Sequence, residues 1–242
     1  MPESAFSRTA RLLGQAALRR LGESRVAVFG IGGVGSFTAE ALARAGVGRL
    51  TLIDADRVCV TNINRQLIAL HSTVGRLKAE VMAERIRDIN PAAEVTALPI
   101  FYGRETADAV DLRAFDYVAD AIDTVDTKVE LIVRARQADV PIISCMGAGN
   151  KLDPMRFEVA RLSETSVCPL CKVMRRRLKE HGVEDLRVVY SREPPLAPAT
   201  EETMCRSAPG SVSFVPSVAG LILAGEIVKA LTREGGEPSR AP

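Results

Sequence analysis

The chain has 242 residues, 47% of them apolar and 26% charged, enough for one large α/β domain with a buried core, or one such domain with a modest extension. A net charge of +2 excludes a whole-molecule field that would gather polyanions, and the absence of Trp argues against a base-stacking surface, so any basic docking patch has to be local. The first 21 residues carry Arg8, Arg11, Arg19 and Arg20 and have no uninterrupted apolar run, which excludes a secretory signal; five Cys in such a chain are expected as thiols in a reducing cytoplasm.

The elements follow in order. Residues 8–22 have helical spacing, with Leu12, Leu13, Ala17 and Leu21 on one side. A short apolar run at 25–29 reads as a buried parallel strand and stops at Gly30. A helix over 36–45 and a strand over 49–53, ending on Asp54, complete a strand–turn–helix–strand unit. Its looser repeats are a helix at 78–88, strands at 94–98 and 116–122, a helix at 128–138 and a strand at 141–145. Residues 157–162 alternate and suit an added antiparallel strand. This alternation predicts an α/β, Rossmann-like, doubly wound, mostly parallel sheet with helices on both faces.

After residue 162 the pattern breaks, which sets an expected boundary between a nucleotide-binding domain at 1–162 and a C-terminal helical extension packed on it at 163–242. The extension is expected to hold a basic helix at 172–181, a strand at 187–190, a mobile loop at 192–210, a last helix at 216–231 and a frayed tail. The apolar stretch 212–231 contains Pro216, Glu226 and Lys229, so it reads as a buried helix and no membrane segment is expected.

Gly30-Ile-Gly32-Gly33-Val-Gly35 matches G-x-G-x-x-G between a strand and a helix. Glycines there allow a tight turn and let backbone N–H groups approach a phosphate. Asp54, at the next strand tip, is placed to accept ribose hydroxyls. Taken alone, the loop favours NAD over other nucleotides. Its neighbours change that balance. Asp54 and Asp56, the run containing Asn62, Arg65 and Gln66, Lys78 at a helix start, and the strand-end acids Asp123 and Asp126 gather cations and carboxylates that hydride transfer does not require. Triphosphate cleavage does require them: a single preorganised donor on developing charge is worth about 2.7–4 kcal/mol, and a strand-end acid can hold Mg²⁺ together with phosphate oxygens.

These motifs, over residues 6–162, resemble the E1-like adenylating superfamily, which includes ubiquitin-activating enzymes and bacterial ThiF and MoeB proteins. The resemblance implies Mg-ATP at Gly30, Gly32, Gly33, Gly35, Asp54, Asp56, Asn62, Arg65, Gln66, Lys78, Asp123 and Asp126. Within that set it assigns ribose to Asp54, phosphates to Arg65 and Lys78, and magnesium to Asp126. Arg8 matches an arginine inserted into a partner subunit's ATP site, which implies a homodimer with Arg8, Arg65, Lys78 and Asp126 as the catalytic set.

Ser166-Val-Cys-Pro-Leu170, the arginine-rich helix behind it, Val188-Val-Tyr-Ser191 and residues 210–216 resemble the tRNA threonylcarbamoyladenosine dehydratase branch. That branch implies ATP-dependent activation of a threonyl carboxylate on tRNA, with ring closure by the neighbouring carbamoyl group and no acyl-accepting cysteine. Lys172, Arg175, Arg176 and Lys179 share a helical face and are the expected tRNA contacts. The rival is a ThiF/MoeB-type adenylyltransferase acting on the C-terminus of a sulfur-carrier protein. A sulfur-relay partner of the cysteine desulfurase system is a further expectation.

Cys168-Pro-Leu-Cys171 is the sole C-x-x-C; the one later cysteine is Cys205. A Cys₄ zinc site therefore cannot be built, leaving three thiolates with His181 as the minority alternative. Zinc is expected to be absent and the pair incidental or mildly redox-active.

Overall fold

The structure, a computed structural model, describes residues 4–197 and 209–233. Cys205, most of the loop expected at 192–210 and nearly all of the expected tail lie outside the described residues.

Two short helices, α1 (Ser7–Leu13) and α2 (Gln15–Glu23), replace the single helix expected at 8–22. The break is Gly14, at φ 86 and ψ 158, a conformation open essentially to glycine alone. Then follow β1 (Arg25–Phe29), α3 (Gly35–Ala45), β2 (Arg49–Ile53), α4 (Lys78–Ile89), β3 (Glu94–Leu98), β4 (Tyr117–Asp120), α5 (Val125–Gln137) and β5 (Ile142–Cys145). The final third adds β6 (Phe157–Arg161), α6 (Pro169–Lys179), β7 (Arg187–Ser191) and α7 (Phe214–Thr232).

The seven strands lie in the order β3-β2-β1-β4-β5-β7-β6. Every neighbouring pair is parallel except β6 with β7. Strand periodicity decides how the two faces are filled. Val26 and Val28 of β1 join a core with α3, α4 and α7, while Ala27 and Phe29 face a second core with α5 and α6. All four are fully buried, and burial of each larger side chain contributes about 1.5–3 kcal/mol.

The boundary expected at residue 162 runs through this sheet, since β7 lies between β5 and β6 and pairs with both. The long apolar α7 is a core helix, buried along one side against α3. A Cβ on its Gly220 would stand 2.3 Å from the carbonyl oxygen of Val34. Glu226 is also buried there, paired with Arg187 and Lys229. The described start of the expected mobile loop is anchored: the Glu193 carboxylate accepts the N–H groups of Leu152 and Asp153.

Candidate functional site

At the carboxyl edge of the sheet, where β1, β2, β4 and β5 end, lies a cleft of about 690 Å³. In open α/β sheets this edge, at the reversal of strand order, is where ligands bind. Here the reversal falls between β1 and β4.

The glycine loop forms its floor. Gly30 has φ 85, and a Cβ there would meet Ala121 O at 2.7 Å. Gly32 and Gly33 line the cleft itself. Gly35 does not line it and has a different task. It is buried at the first residue of α3, and a Cβ would lie 1.7 Å from Gly30 O, so glycine here lets the helix start directly against the turn.

The Asp54 carboxylate takes the Ile31 N–H at 2.6 Å and the Asp56 N–H at 2.8 Å. Each of its oxygens keeps a lone pair for a hydroxyl. Burial raises its pKa, opposed by the Lys78 charge and the two N–H bonds. Lys78, at the start of α4, is only 6% exposed and donates to Asp56 at 2.7 Å. Arg65 and Gln66 also line the cleft. The Arg65 guanidinium is steadied by Thr61 O and Asn64 Oδ1, both at 2.9 Å. Gln66 Oε1 is buried without a protein hydrogen-bond partner, an acceptor at the cleft that a ligand or water donor would satisfy.

Three expected site residues are placed elsewhere. Asn62 is buried, and its Oδ1 accepts the Cys59 N–H at 3.0 Å, so it caps a short turn at Val60–Asn62 and does not line the cleft. Asp126 is also outside the cleft lining, because α5 begins at Val125 and carries it round to Arg177, with which it pairs at 2.7 Å. Asp123, in the loop before α5, is exposed and lines the cleft together with Asp54 and Asp56. Arg175 is half-buried and gives its guanidinium to Leu162 O, Thr165 O and Thr165 Oγ1, which removes it from the exposed basic face. Lys172, Arg176 and Lys179 remain exposed on α6, whose first turn contributes Leu170 to the cleft. Arg8 is exposed on α1, away from this chain's own cleft.

Other residues of the site escaped the sequence reading. Ile100, Phe101 and Tyr102 form an apolar wall opposite the glycine loop, with the Tyr102 ring edge-on to Phe29 at 4.8 Å. Burial pushes the Tyr102 phenol up to about 12. Gly147, Gly149, Pro209, Ser211 and Pro216 close the far side. Beneath the cleft, fully buried Lys128 donates to Asp120 at 2.7 Å and to Ser144 Oγ at 3.0 Å, while Asp120 also takes the Ile122 N–H. This ties the ends of β4 and β5 to the loop that carries Asp123. A signal was present in Asp120, an acid inside an otherwise apolar strand run, with a lysine eight residues on.

The sequence profile of the ThiF family matches residues 6–241. A tRNA threonylcarbamoyladenosine dehydratase of Bacillus subtilis is 46% identical over 241 residues, covering 95% of each chain. Among solved structures, E. coli tRNA N6-threonylcarbamoyladenosine dehydratase in complex with AMP superimposes with a TM-score of 0.88 at 40% identity, over 94% of this chain and 93% of that one. The same E. coli protein in complex with ATP gives 0.85 at 39%, over the same shares.

Proposed function

The chain belongs to the ThiF family, and on that premise we propose that it is an ATP-dependent tRNA threonylcarbamoyladenosine dehydratase of the cytoplasm. The observation that carries this reading is the convergence of Arg65, Lys78 and Asp123 on the cleft opened by the glycine loop, in a chain that follows the dehydratases along nearly its whole length.

In this reading Asp54 accepts the ribose hydroxyls, the apolar wall at 100–102 faces the base, and the loop N–H groups with Lys78 and Arg65 take the phosphates. The oxygen donor on the cleft rim suits Mg²⁺, and the residue that would hold it is Asp123, in place of the Asp126 expected from the sequence. Bound there, the cation supplies charge neutralisation on the phosphates. The threonyl carboxylate attacks the α-phosphorus and pyrophosphate leaves; the carbamoyl group of the same nucleoside then attacks the acyl-adenylate and releases AMP. Nucleophile and electrophile share one substrate, so effective molarity takes the place of an acceptor cysteine. Lys172, Arg176 and Lys179 run from the cleft along α6 and would take tRNA phosphates, fixing position without reading sequence. Dehydration transfers no sulfur, so a cysteine desulfurase partner would act as a regulator and not as a donor.

Incubation with ATP, Mg²⁺ and modified tRNA, followed by nucleoside mass spectrometry, is expected to show the modified adenosine lighter by one water. Unchanged nucleoside with pyrophosphate exchange on a sulfur-carrier protein would transfer the reading to the rival. For the homodimer, Arg8 of one copy is proposed to reach the cleft of the other. Mixing inactive Arg8→Ala and Lys78→Met chains should then restore part of the activity; a mixture as inactive as its components refutes shared sites.

A further inference from the structure

The proposed reaction leaves the C-x-x-C pair without a task. Cys168 is the N-cap of α6 and Cys171 lies in its first turn. The two side chains meet. The Cys171 thiol and the backbone N–H groups of Cys171, Gly147 and Leu170 lie close enough to the Cys168 sulfur to favour its thiolate. The Cys171 thiol and these N–H groups hold Cys168 well below the ordinary thiol range. Cys171, which keeps the shared proton, is pushed up by the Cys168 sulfur and by burial. The Lys151 ammonium lies near enough for its charge to feel both sulfurs.

The pair lies directly behind the cleft wall. Leu170, between the cysteines, lines the cleft, and so does Gly147, whose Cβ position is 3.9 Å from Cys168 Sγ. At 3% and 0% exposure the cysteines are closed off from water and from the cleft itself, so a small oxidant reaches Cys168 only when the lining residues Gly147 and Leu170 move aside. Closing a disulfide needs little motion. Cys168 is outside the helix, with extended backbone at φ −70 and ψ 119, and can swing toward Cys171 without unwinding α6.

We propose that Cys168 and Cys171 are a redox-active dithiol behind the wall of the cleft, and that their oxidation to a disulfide weakens nucleotide binding. The second half rests on the nucleotide reading above. The oxidant is a hydroperoxide. Cys168 thiolate attacks its terminal oxygen, giving a sulfenic acid and expelling hydroxide or alkoxide. The Cys171 sulfur then attacks Cys168, the sulfenic oxygen leaves as hydroxide, and the Cys171 proton converts it to water. With hydrogen peroxide, two thiols and one peroxide yield one disulfide and two waters, a two-electron oxidation that a dithiol reductant reverses. Oxidation removes the thiolate packed against Gly147 and draws the first turn of α6 toward its cap, so two lining residues, Gly147 and Leu170, shift together.

The full chain, treated with hydrogen peroxide, alkylated and digested, should yield a peptide containing the Cys168–Cys171 disulfide while Cys145 stays a thiol. Calorimetric titration with AMP is expected to show about tenfold weaker binding after oxidation, restored by dithiothreitol. By reciprocity, saturating AMP should make the midpoint potential about 30 mV more positive, which is that tenfold factor at two electrons. Cys168→Ser, whose hydroxyl oxygen can still accept the Gly147 N–H and which removes the thiolate that attacks peroxide, should bind AMP like the reduced protein and lose no affinity in peroxide; should that variant fail to fold, the potential shift in the unmodified chain carries the same information. Absence of the disulfide under conditions that fully oxidise glutathione, or zinc held by the pair in the purified protein, overturns the dithiol. A disulfide that leaves AMP affinity within twofold overturns the coupling. Failure of the reduced protein to bind AMP at all would instead strike the nucleotide reading, with disulfide formation still scored by mass.

Discussion

The cleft has two walls that arise in different ways. Gly30 to Lys78 supplies one wall from a single stretch of chain: a turn, two strand ends and a helix start, each next to the other in sequence. Gly147, Leu170, Pro209, Ser211 and Pro216 supply the other from segments that meet only because β7 enters the sheet beside β5 and α7 returns to lie on α3. The first wall holds the residues proposed to take phosphate and ribose. The second decides how the site closes and what can approach it. Nucleotide binding can therefore be a local property, whereas substrate access depends on the whole fold.

Substitutions can test whether the walls are as separable as this. The largest effects are expected where backbone meets backbone. Gly35→Ala in the first wall and Gly220→Ala behind the second bring a Cβ to 1.7 and 2.3 Å of a carbonyl oxygen, and each should cost more than about 4 kcal/mol in urea denaturation. A wild-type midpoint for either would mean that α3 or α7 can shift freely. Next is the joint beneath both walls. Lys128→Met leaves Asp120 buried without its cation and should destabilise by about 3–5 kcal/mol. Loss of activity with unchanged stability would mean that this pair serves the chemistry and not the joint.

Where the loop before α5 meets the first wall, Asp123→Asn should lower the rate of AMP formation about 10²–10³-fold, as does loss of one charge-stabilising group. Asp126→Asn should stay within about twofold; the reverse ranking restores the assignment drawn from sequence. The smallest effects belong to the second wall's outer face. Arg176→Ala or Lys179→Ala should each reduce the slope of tRNA affinity against salt by about one unit. Arg175→Ala should leave that slope unchanged and destabilise the protein by about 1–3 kcal/mol, because Leu162 and Thr165 lose their donor.

Much of the fold was legible because it follows from short patterns. The apolar runs at β1, β2 and β3 and the glycines around α3 are local signals, and those strands begin and end where the sequence places them. The site was legible where a motif fixes a residue against its own neighbours, as with Gly30, Asp54 and Lys78. Legibility failed where a residue's role depends on rotation about a helix or on a distant acceptor. The start of α5 at Val125, three residues before the expected position, is enough to turn Asp126 to Arg177 and leave Asp123 at the rim. Arg175 looks like its basic neighbours, and only the turn at Leu162–Glu164 and Thr165 tells it apart. Tyr102 gave no signal, since an isolated aromatic after a strand has no period to read.

The sequence by itself determined that a strand, a glycine turn and a helix would present backbone N–H groups to a phosphate, because glycine's freedom at positive φ and the approach of N–H groups at a helix start are properties of the chain within a few residues. It also determined the C-x-x-C spacing. Only the tertiary structure decided which of two acids lines the cleft, which of four basic side chains stay exposed, and that the cysteine pair lies behind the wall of the cleft. Those outcomes depend on packing between segments far apart in sequence, with β7 placed between β5 and β6 and α6 beginning at the cleft, and no local spacing encodes them.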